Sequence, residues 1–429
     1  MSTGDPDGEA PGGADLVVVG LGYVGLPLAA EASRAGLSVV GLDIDPQRVA
    51  AVNGGRSHVD DLTDDDIKDL LVRGFRATDD ASVLGRADAA VICVPTPLSD
   101  VGGPDLGAVD GAVQAIAAHL HPGMLVVLES TTYPGTTEDR VLPVLAGTSG
   151  LRPGVDFHLA FSPERIDPGN QVYGVRNTPK VVGGHTGACG DRAVAFYSRF
   201  IDKVVRTRGT REAEMAKLLE NTYRHVNIAL VNEMAVFCHD LGIDLWDVID
   251  AAATKPFGFQ PFRPGPGVGG HCIPIDPNYL SFRVRQLGYP FRFVELAQEI
   301  NDRMPAYVTQ RVQRLLNDHG RAVRGAKILL LGVTYKPDIS DDRESPARPV
   351  AGRLRDLGAE VRFHDPYVPT WHVDGVHLER RDLRRALPGA DLVVILQAHS
   401  SYDLDLIERL SPLLLDTSGR LTGPRVERL

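Results

Sequence analysis

The chain has 429 residues, of which 43% are hydrophobic, 24% charged and 6% aromatic, and its net charge is −11. At about 100–200 residues per domain this length gives roughly two to four domains, and so apolar a composition excludes disorder as the main state. The acidic balance excludes nucleic acid as a general partner, and no run approaches the ~20 apolar residues of a membrane span.

Residues 1–14, rich in Gly, Pro, Asp and Glu, read as a disordered leader. They lack the basic region and apolar core of a signal peptide, so a cytoplasmic location is expected. The apolar run 14–20 (ADLVVVG) predicts a strand, followed by a helical segment to Gly36 and a second apolar run at 37–42. Further strand-like runs lie at 87–94 and 124–129, with helical patterning between them. Strands alternating with helices predict a parallel doubly wound sheet. Residues 211–241 contain neither Pro nor Gly and predict one long helix, an interdomain spine or dimer face. A Pro- and Gly-rich loop, KPFGFQPFRPGPGVGGHCIPIDP, follows, and long loops of this kind usually have a function. From Lys327 the α/β pattern restarts, with strands at 327–333, 360–364, 390–396 and 413–415 and a helix at 347–357. The expected architecture is therefore α/β: two Rossmann-like doubly wound parallel-sheet domains joined by a long central helical region. The expected boundaries are leader 1–14, first α/β domain 15–205, helical domain 206–310 and second α/β domain 311–429.

Between the first strand and the first helix stands Gly20-Leu21-Gly22-Tyr23-Val24-Gly25. Glycines there permit a tight turn and close approach of a pyrophosphate to the helix N-terminus. Asp43 ends the next strand, eighteen residues after Gly25. A carboxylate at that place accepts ribose hydroxyls and repels a 2′-phosphate, which favours NAD over NADP. The runs at 87–94 and 124–129 lead into Val94-Pro95-Thr96-Pro97 and Ser130-Thr131-Thr132. Ligands bind outside the carboxyl ends of such strands, so these loops are expected to line the cleft.

Four cysteines without a CxxC pair argue against a disulfide scaffold or a zinc ribbon. Cys93, Cys189 and Cys238 read as inert small residues. Cys272 differs, standing in Gly269-Gly270-His271-Cys272-Ile273-Pro274-Ile275-Asp276. The glycines let a substrate approach the thiol, and a thiolate near an NAD site suggests covalent oxidation of an aldehyde to an acid. His271 has no second ligand at metal spacing, so no metal is implied. Lys217 and Asn221 share a helix face, which Arg224 and His225 continue. That face reads either as a solvated polar stripe or as an ammonium and an amide that stabilise an oxyanion. Lysine is scarce, 7 against 38 arginines, and a retained lysine offers a compact charge that arginine does not.

Taken together, VVVGLGYVGLPLA, VPTP, ESTTYPGTTE, FSPER, AEMAKLLENTYRHVNIALVNE, PGPGVGGHCIPIDP and GVTYKPDISDDRES, in this order, resemble the UDP-glucose/GDP-mannose dehydrogenase family. The wording is most similar to the branch that oxidises UDP-N-acetylglucosamine, with UDP-N-acetylmannosamine and UDP-glucose enzymes as the alternatives. The resemblance implies that Cys272 is the nucleophile of a double oxidation. Lys217 and Asn221 would hold the oxyanion and the substrate hydroxyl, and Asp276 would act on the hydrolytic water near Thr132 and Glu164. It implies NAD binding by Gly20, Gly22, Tyr23, Val24, Gly25, Asp43 and Arg48, with Pro95, Thr96, Thr132 and Arg343 lining the cleft. Glu164, Arg165, Lys217, Asn221, Phe262, Gly269 and Lys336 would contact a UDP-sugar. A homodimer or higher homo-oligomer through the central helix is implied, with neither membrane nor nucleic acid as partner. Ile166 and Arg263 depart from the branch's usual pattern. An ordinary two-electron hydroxyacid or hydroxyacyl dehydrogenase and a regulatory nucleotide-binding protein are the rival readings.

Overall fold

The computed structural model describes residues 13–97, 103–167, 170, 172–270, 273 and 275–429. The chain divides into two compact units, Met1–Leu218 and Leu219–Leu429. The division falls inside the helix Thr210–Asp240, which runs unbroken where the sequence lacks Pro and Gly. Among the described residues no helix is long and apolar enough to cross a membrane.

The first unit holds β1 (Leu16–Val19), β2 (Val39–Leu42), β3 (Arg76–Thr78), β4 (Ala89–Ile92), β5 (Leu125–Leu128), β6 (His158–Phe161), β7 (Lys180–Gly184) and β8 (Val204–Arg206). They form one sheet in the order β3-β2-β1-β4-β5-β6-β7-β8. Period-two alternation sends side chains to both faces. Leu16 and Val18 join a core with Leu26, Leu28 and Ala29 of the helix Gly25–Arg34. Val17 and Val19 join another core with Val109, Val113 and Ile116 of the helix Gly107–His119. Apolar on both faces, the strands need helices on both sides, which is the doubly wound arrangement. Ala14, read as the end of the leader, is already buried and bridged to Ala87; residues 1–12 lie outside the described residues.

The sheet departs from the all-parallel expectation at one place. β7 runs antiparallel to β6, pairing Ala160 with Gly184 and Phe161 with Gly183. A parallel neighbour requires a crossover, usually helical, and among the described residues no helix stands between β6 and β7. The reversal brings the start of β7 to the edge where the parallel strands β4, β5 and β6 end.

The second unit holds β9 (Lys327–Leu331), β10 (Glu360–His364), β11 (Thr370–Val373), β12 (Val376–Glu379), β13 (Leu392–Ile395), β14 (Leu414–Asp416) and β15 (Val426–Arg428). Five of these make a parallel sheet in the order β10-β9-β13-β14-β15, and β11 and β12 make a hairpin. Ile328 and Leu330 pack with Val350 and Leu354 of the helix Ala347–Asp356, whereas Leu329 and Leu331 face Leu387 and Ile407 on the other side. The helix Arg292–Asp318 carries a proline, Pro305, inside it.

Candidate functional site

In the first unit the turn after β1 is shaped by its glycines. Gly20 has φ +95°, and a Cβ there would stand 2.7 Å from the Cys93 carbonyl oxygen, so only glycine fits. Beside Gly22 nothing among the described residues lies within 4 Å of where a Cβ would be, which leaves open space at the turn. The helix Gly25–Arg34 begins without a side-chain cap, Leu26 and Leu28 donate to the Gly22 and Val24 carbonyls, and Pro27 has no N–H. What this end offers an anion is therefore its positive dipole end and the Gly25 N–H. Val24 packs against the core, and Tyr23 is exposed. Asp43 is buried, and its Oδ2 accepts the Leu21 N–H at 2.8 Å while Oδ1 accepts the Asp45 N–H at 3.0 Å. Arg48, with a part-exposed side chain, donates to both oxygens at 3.1 and 2.9 Å. The carboxylate thus folds the glycine turn and presents a guanidinium at its rim. An uncapped helix end, open space at Gly22 and an acidic residue at the next strand's end fit a dinucleotide.

Two loops at the same sheet edge are tied together. The Thr96 hydroxyl donates to the Thr131 carbonyl at 2.9 Å, and Ser130 Oγ donates to the Val94 carbonyl at 2.7 Å. Pro95 lies between these contacts. Thr132 is 1% exposed, and its hydroxyl is buried with no hydrogen-bond partner among the described residues. A buried hydroxyl of this kind carries a desolvation cost until a ligand or water meets it.

Glu164 follows β6. Its Oε1 accepts the N–H groups of Arg165 and Ile166 at 2.5 and 2.6 Å, and Lys180 Nζ approaches Oε2 at 3.4 Å. The Glu164 carbonyl accepts Lys217 Nζ at 2.5 Å, and Arg165 donates to the Pro179 carbonyl at 2.6 Å. Lys180 also pairs with Glu129 at 3.0 Å, and the Tyr197 hydroxyl donates to Glu129 as well. Sequence reasoning passed over Glu129, Lys180 and Tyr197. Lysine scarcity, which singled out Lys217, applied equally to Lys180 and was the available signal. It also passed over Glu214, buried on the long helix, whose carboxylate accepts the N–H groups of Gly135 and Thr137 at 2.5 and 2.9 Å and the Thr137 hydroxyl at 2.7 Å. Burial pushes that carboxyl up to about 7 against these hydrogen bonds.

The face of the helix Thr210–Asp240 is not a solvated stripe. Lys217, Asn221 and His225 are all buried, whereas Arg224 is exposed. Spacing does not account for the difference, since Arg224, seven residues from Lys217, lies within about 20° of it on the helix while His225 is turned by about 80°. Burial lowers the His225 imidazole to about 4.

In the second unit Asn221 Nδ2 donates to Asp276 Oδ2 at 2.5 Å, and both residues are buried. Asp276 opens the helix Asp276–Gln286. The glycine loop ahead of it is anchored: the Gly265 N–H reaches Asn232 Oδ1 at 2.9 Å, and a Cβ on Gly269 would meet Tyr335 and the Glu344 carbonyl at 2.7 Å. The Phe262 ring stands edge-on to Tyr223 at 5.7 Å. Lys336 lies in the loop after β9, and its carbonyl accepts the Thr334 hydroxyl at 2.8 Å. Arg343 pairs with Asp341 at 2.7 Å and is half exposed. Cys272 and His271 lie outside the described residues. Among the described residues no group of three His, Cys, Asp or Glu side chains is placed to hold a metal.

Comparison with known proteins agrees along nearly the whole chain. Residues 14–201 match the NAD binding domain of the UDP-glucose/GDP-mannose dehydrogenase family, 211–303 its central domain and 329–421 its UDP binding domain. The chain is 36% identical over 389 residues to the UDP-N-acetyl-D-mannosamine dehydrogenase of Pyrococcus horikoshii, covering 90% of each chain. It is 37% identical over 359 residues to the UDP-N-acetyl-D-glucosamine 6-dehydrogenase of Pseudomonas aeruginosa, covering 82% of this chain and 83% of that one. A solved UDP-D-ManNAc dehydrogenase from Pyrococcus horikoshii superposes with a TM-score of 0.87 at 33% identity, covering 96% of this chain and 98% of that one.

Proposed function

Because the chain belongs to the UDP-glucose/GDP-mannose dehydrogenase family, we propose that it oxidises C6 of a UDP-N-acetylhexosamine from alcohol to carboxylate, with UDP-N-acetylglucosamine as the substrate. It is an NAD-dependent nucleotide-sugar dehydrogenase. The observation that supports the double oxidation is the ordered succession of an NAD-binding, a central and a UDP-binding domain in a chain that also holds Cys272, Lys217, Asn221 and Asp276. The wording STTYPGTTE, PGPGVGGHCIPIDP and RHVNIALVNE is what favours UDP-N-acetylglucosamine. UDP-N-acetylmannosamine is the second reading, favoured by the name of the Pyrococcus relative.

NAD, when bound, takes up a hydride in each of the two oxidations. The chain's own groups do the rest. The uncapped helix end at Gly25, the turn Gly20 to Val24, and Asp43 with Arg48 hold the dinucleotide, with Pro95 and Thr96 beside it. The Cys272 thiolate adds to the C6 aldehyde, and the thiohemiacetal keeps this reactive group from escaping. Its oxidation gives a thioester, and water cleaves the C–S bond to release the acid and the thiol. Lys217 and Asn221 stabilise the oxyanion at C6. Asp276 takes a proton from the water, supported by its short contact with Asn221, and the unpartnered Thr132 hydroxyl orients water or substrate. Glu164, Arg165, Phe262, Gly269 and Lys336 contact the UDP-sugar, and Arg343 lines the cofactor side. Leu219, Tyr223, Leu230 and Phe237 are exposed at spacings that share one helix face, which supports a homodimer through the central helix.

The test is NADH release from UDP-GlcNAc, UDP-ManNAc, UDP-glucose and GDP-mannose. Two NADH per sugar are expected with UDP-GlcNAc; a ratio of one excludes the double oxidation. Cys272→Ala abolishes acid formation while NAD still binds, and near-normal acid production by that variant would sink the mechanism.

A further inference from the structure

A buried charged cluster lies beneath the sheet edge of the first unit, and the chemistry above assigns it no role. Lys180 opens β7 and is 5% exposed; Glu129 follows β5 and is 1% exposed. The ammonium stands 3.0 Å from Glu129 and 3.4 Å from Glu164. Glu129 is held on its other sides by the Tyr197 hydroxyl and, at 3.9 Å, by the Cys93 thiol. Burial alone would discharge the lysine, but the Glu129 and Glu164 carboxylates hold its ammonium above the ordinary range; burial raises Glu129 in turn, against Lys180.

Such a cluster is a poor way to gain stability. Desolvation offsets most of the attraction between buried charges, and well-packed apolar side chains often serve as well. What the cluster does fix is geometry. Glu164 is gripped at one oxygen by two main-chain N–H groups and at the other by Lys180, and its own carbonyl accepts the Lys217 ammonium. We infer that Lys180, braced by Glu129, is a positioning residue that sets Glu164 and, through the Glu164 carbonyl, the Lys217 ammonium for turnover. The antiparallel entry of β7 is what delivers Lys180 to this place. The inference rests on the dehydrogenase reading above.

The test is single-turnover NADH formation by the full-length enzyme mixed with saturating NAD and one equivalent of the accepted UDP-sugar per subunit. Three variants are compared: Lys180→Met, Lys180→Arg and the charge-balanced double variant Glu129→Gln/Lys180→Met. The double variant removes the pair with no change in net charge and leaves Glu164 its two main-chain donors, so it keeps the question answerable if Lys180→Met does not fold. The expected result for the double variant is the full amplitude of two NADH per subunit, formed at least about tenfold more slowly, because a small misplacement of a reacting group costs rate. Its NAD dissociation constant should stay within about twofold, the mark of a rate effect and not a binding one. Lys180→Arg, which keeps the charge, should recover part of the rate. A wild-type rate in the double variant overturns the inference, and so does a loss confined to amplitude, which would mean fewer folded sites. A wild-type protein that releases no NADH from any UDP-sugar overturns the functional reading itself, and this inference with it.

Discussion

In the first unit Gly20 follows β1 at φ +95°, and the next residue, Leu21, donates its N–H to Asp43 beyond β2 over 2.8 Å. In the second unit Gly332 follows β9 at φ +74°, and Val333 donates to Asp365 beyond β10 over 2.7 Å. Each aspartate uses its other oxygen to accept the N–H two residues on, from Asp45 at 3.0 Å and Tyr367 at 2.8 Å. Each glycine is forced by the end of the neighbouring strand: a Cβ would meet the Cys93 carbonyl at 2.7 Å in one unit and the Gln397 carbonyl at 2.2 Å in the other. The difference is the group that faces the carboxylate. Asp43 faces Arg48, which reaches solvent. Asp365 faces His399, wholly buried at 2.9 Å, whose Nδ1 accepts the Asp338 N–H at 2.9 Å. That bond fixes the tautomer, so Nε2 carries the proton given to Asp365. One corner stays open to a ligand, and the other is sealed into the core.

The comparison breaks most visibly in stability. Asp365→Ala leaves the buried His399 and Val333 donors, and the part-buried Tyr367 N–H, without an acceptor. A loss of about 3 kcal/mol is expected in urea unfolding, with NAD affinity unchanged. A loss below about 1 kcal/mol would show that the sealed corner is not structural.

The two units should also answer pH with opposite slopes. Glu214, in the first, is pushed up to about 7 from its ordinary 4.5, chiefly by burial. The folded chain then keeps a proton that the unfolded chain releases, so stability present below pH 4.5 is lost as pH rises through about 7. His225, in the second, is lowered by burial to about 4 from 6.5. There the unfolded chain takes up the proton, so stability is full above pH 6.5 and is lost as pH falls through about 4. Relative to wild type, Glu214→Gln should gain on the order of 2 kcal/mol in urea unfolding as pH is raised across its window. His225→Phe should gain a similar amount as pH is lowered across its own. Differences that stay flat with pH would refute both assignments.

The smallest effect belongs to the open corner. Asp43→Asn turns an amide donor toward Arg48 and removes the charge that repels a 2′-phosphate. NAD affinity should fall about tenfold, or about 1.4 kcal/mol, and NADP should lose less. Equal losses for the two cofactors in a binding titration would remove Asp43 from ribose recognition.

Local pattern made much of this legible. The runs at 14–20, 37–42, 87–94, 124–129, 327–333 and 360–364 hold β1, β2, β4, β5, β9 and β10, and a span free of Pro and Gly holds the helix Thr210–Asp240. The fingerprint from Gly20 to Asp43 was readable because turn and carboxylate lie within one strand–helix–strand unit. Distant pairing was not. Lys180 meets a residue 51 positions earlier, and Asp365 meets one 34 positions later; neither partnership leaves a periodic trace. β7 has only Val181 and Val182 as apolar residues before Gly183 and Gly184, and the interior Pro305 disguises a helix of 27 residues.

That proline has a further effect. Lacking an N–H, Pro305 leaves the Asn301 carbonyl without its helical partner, and Gly267 comes so close that a Cβ would stand 3.4 Å from that oxygen. The Asn301 side chain accepts from Asn232 at 2.9 Å, and Asn232 in turn accepts from the Gly265 N–H. Residues 264–270 are thus pinned by buried amides without belonging to any helix or strand. Their conformational entropy is surrendered once, when the chain folds, and little of it would remain to be lost to a ligand that met this loop.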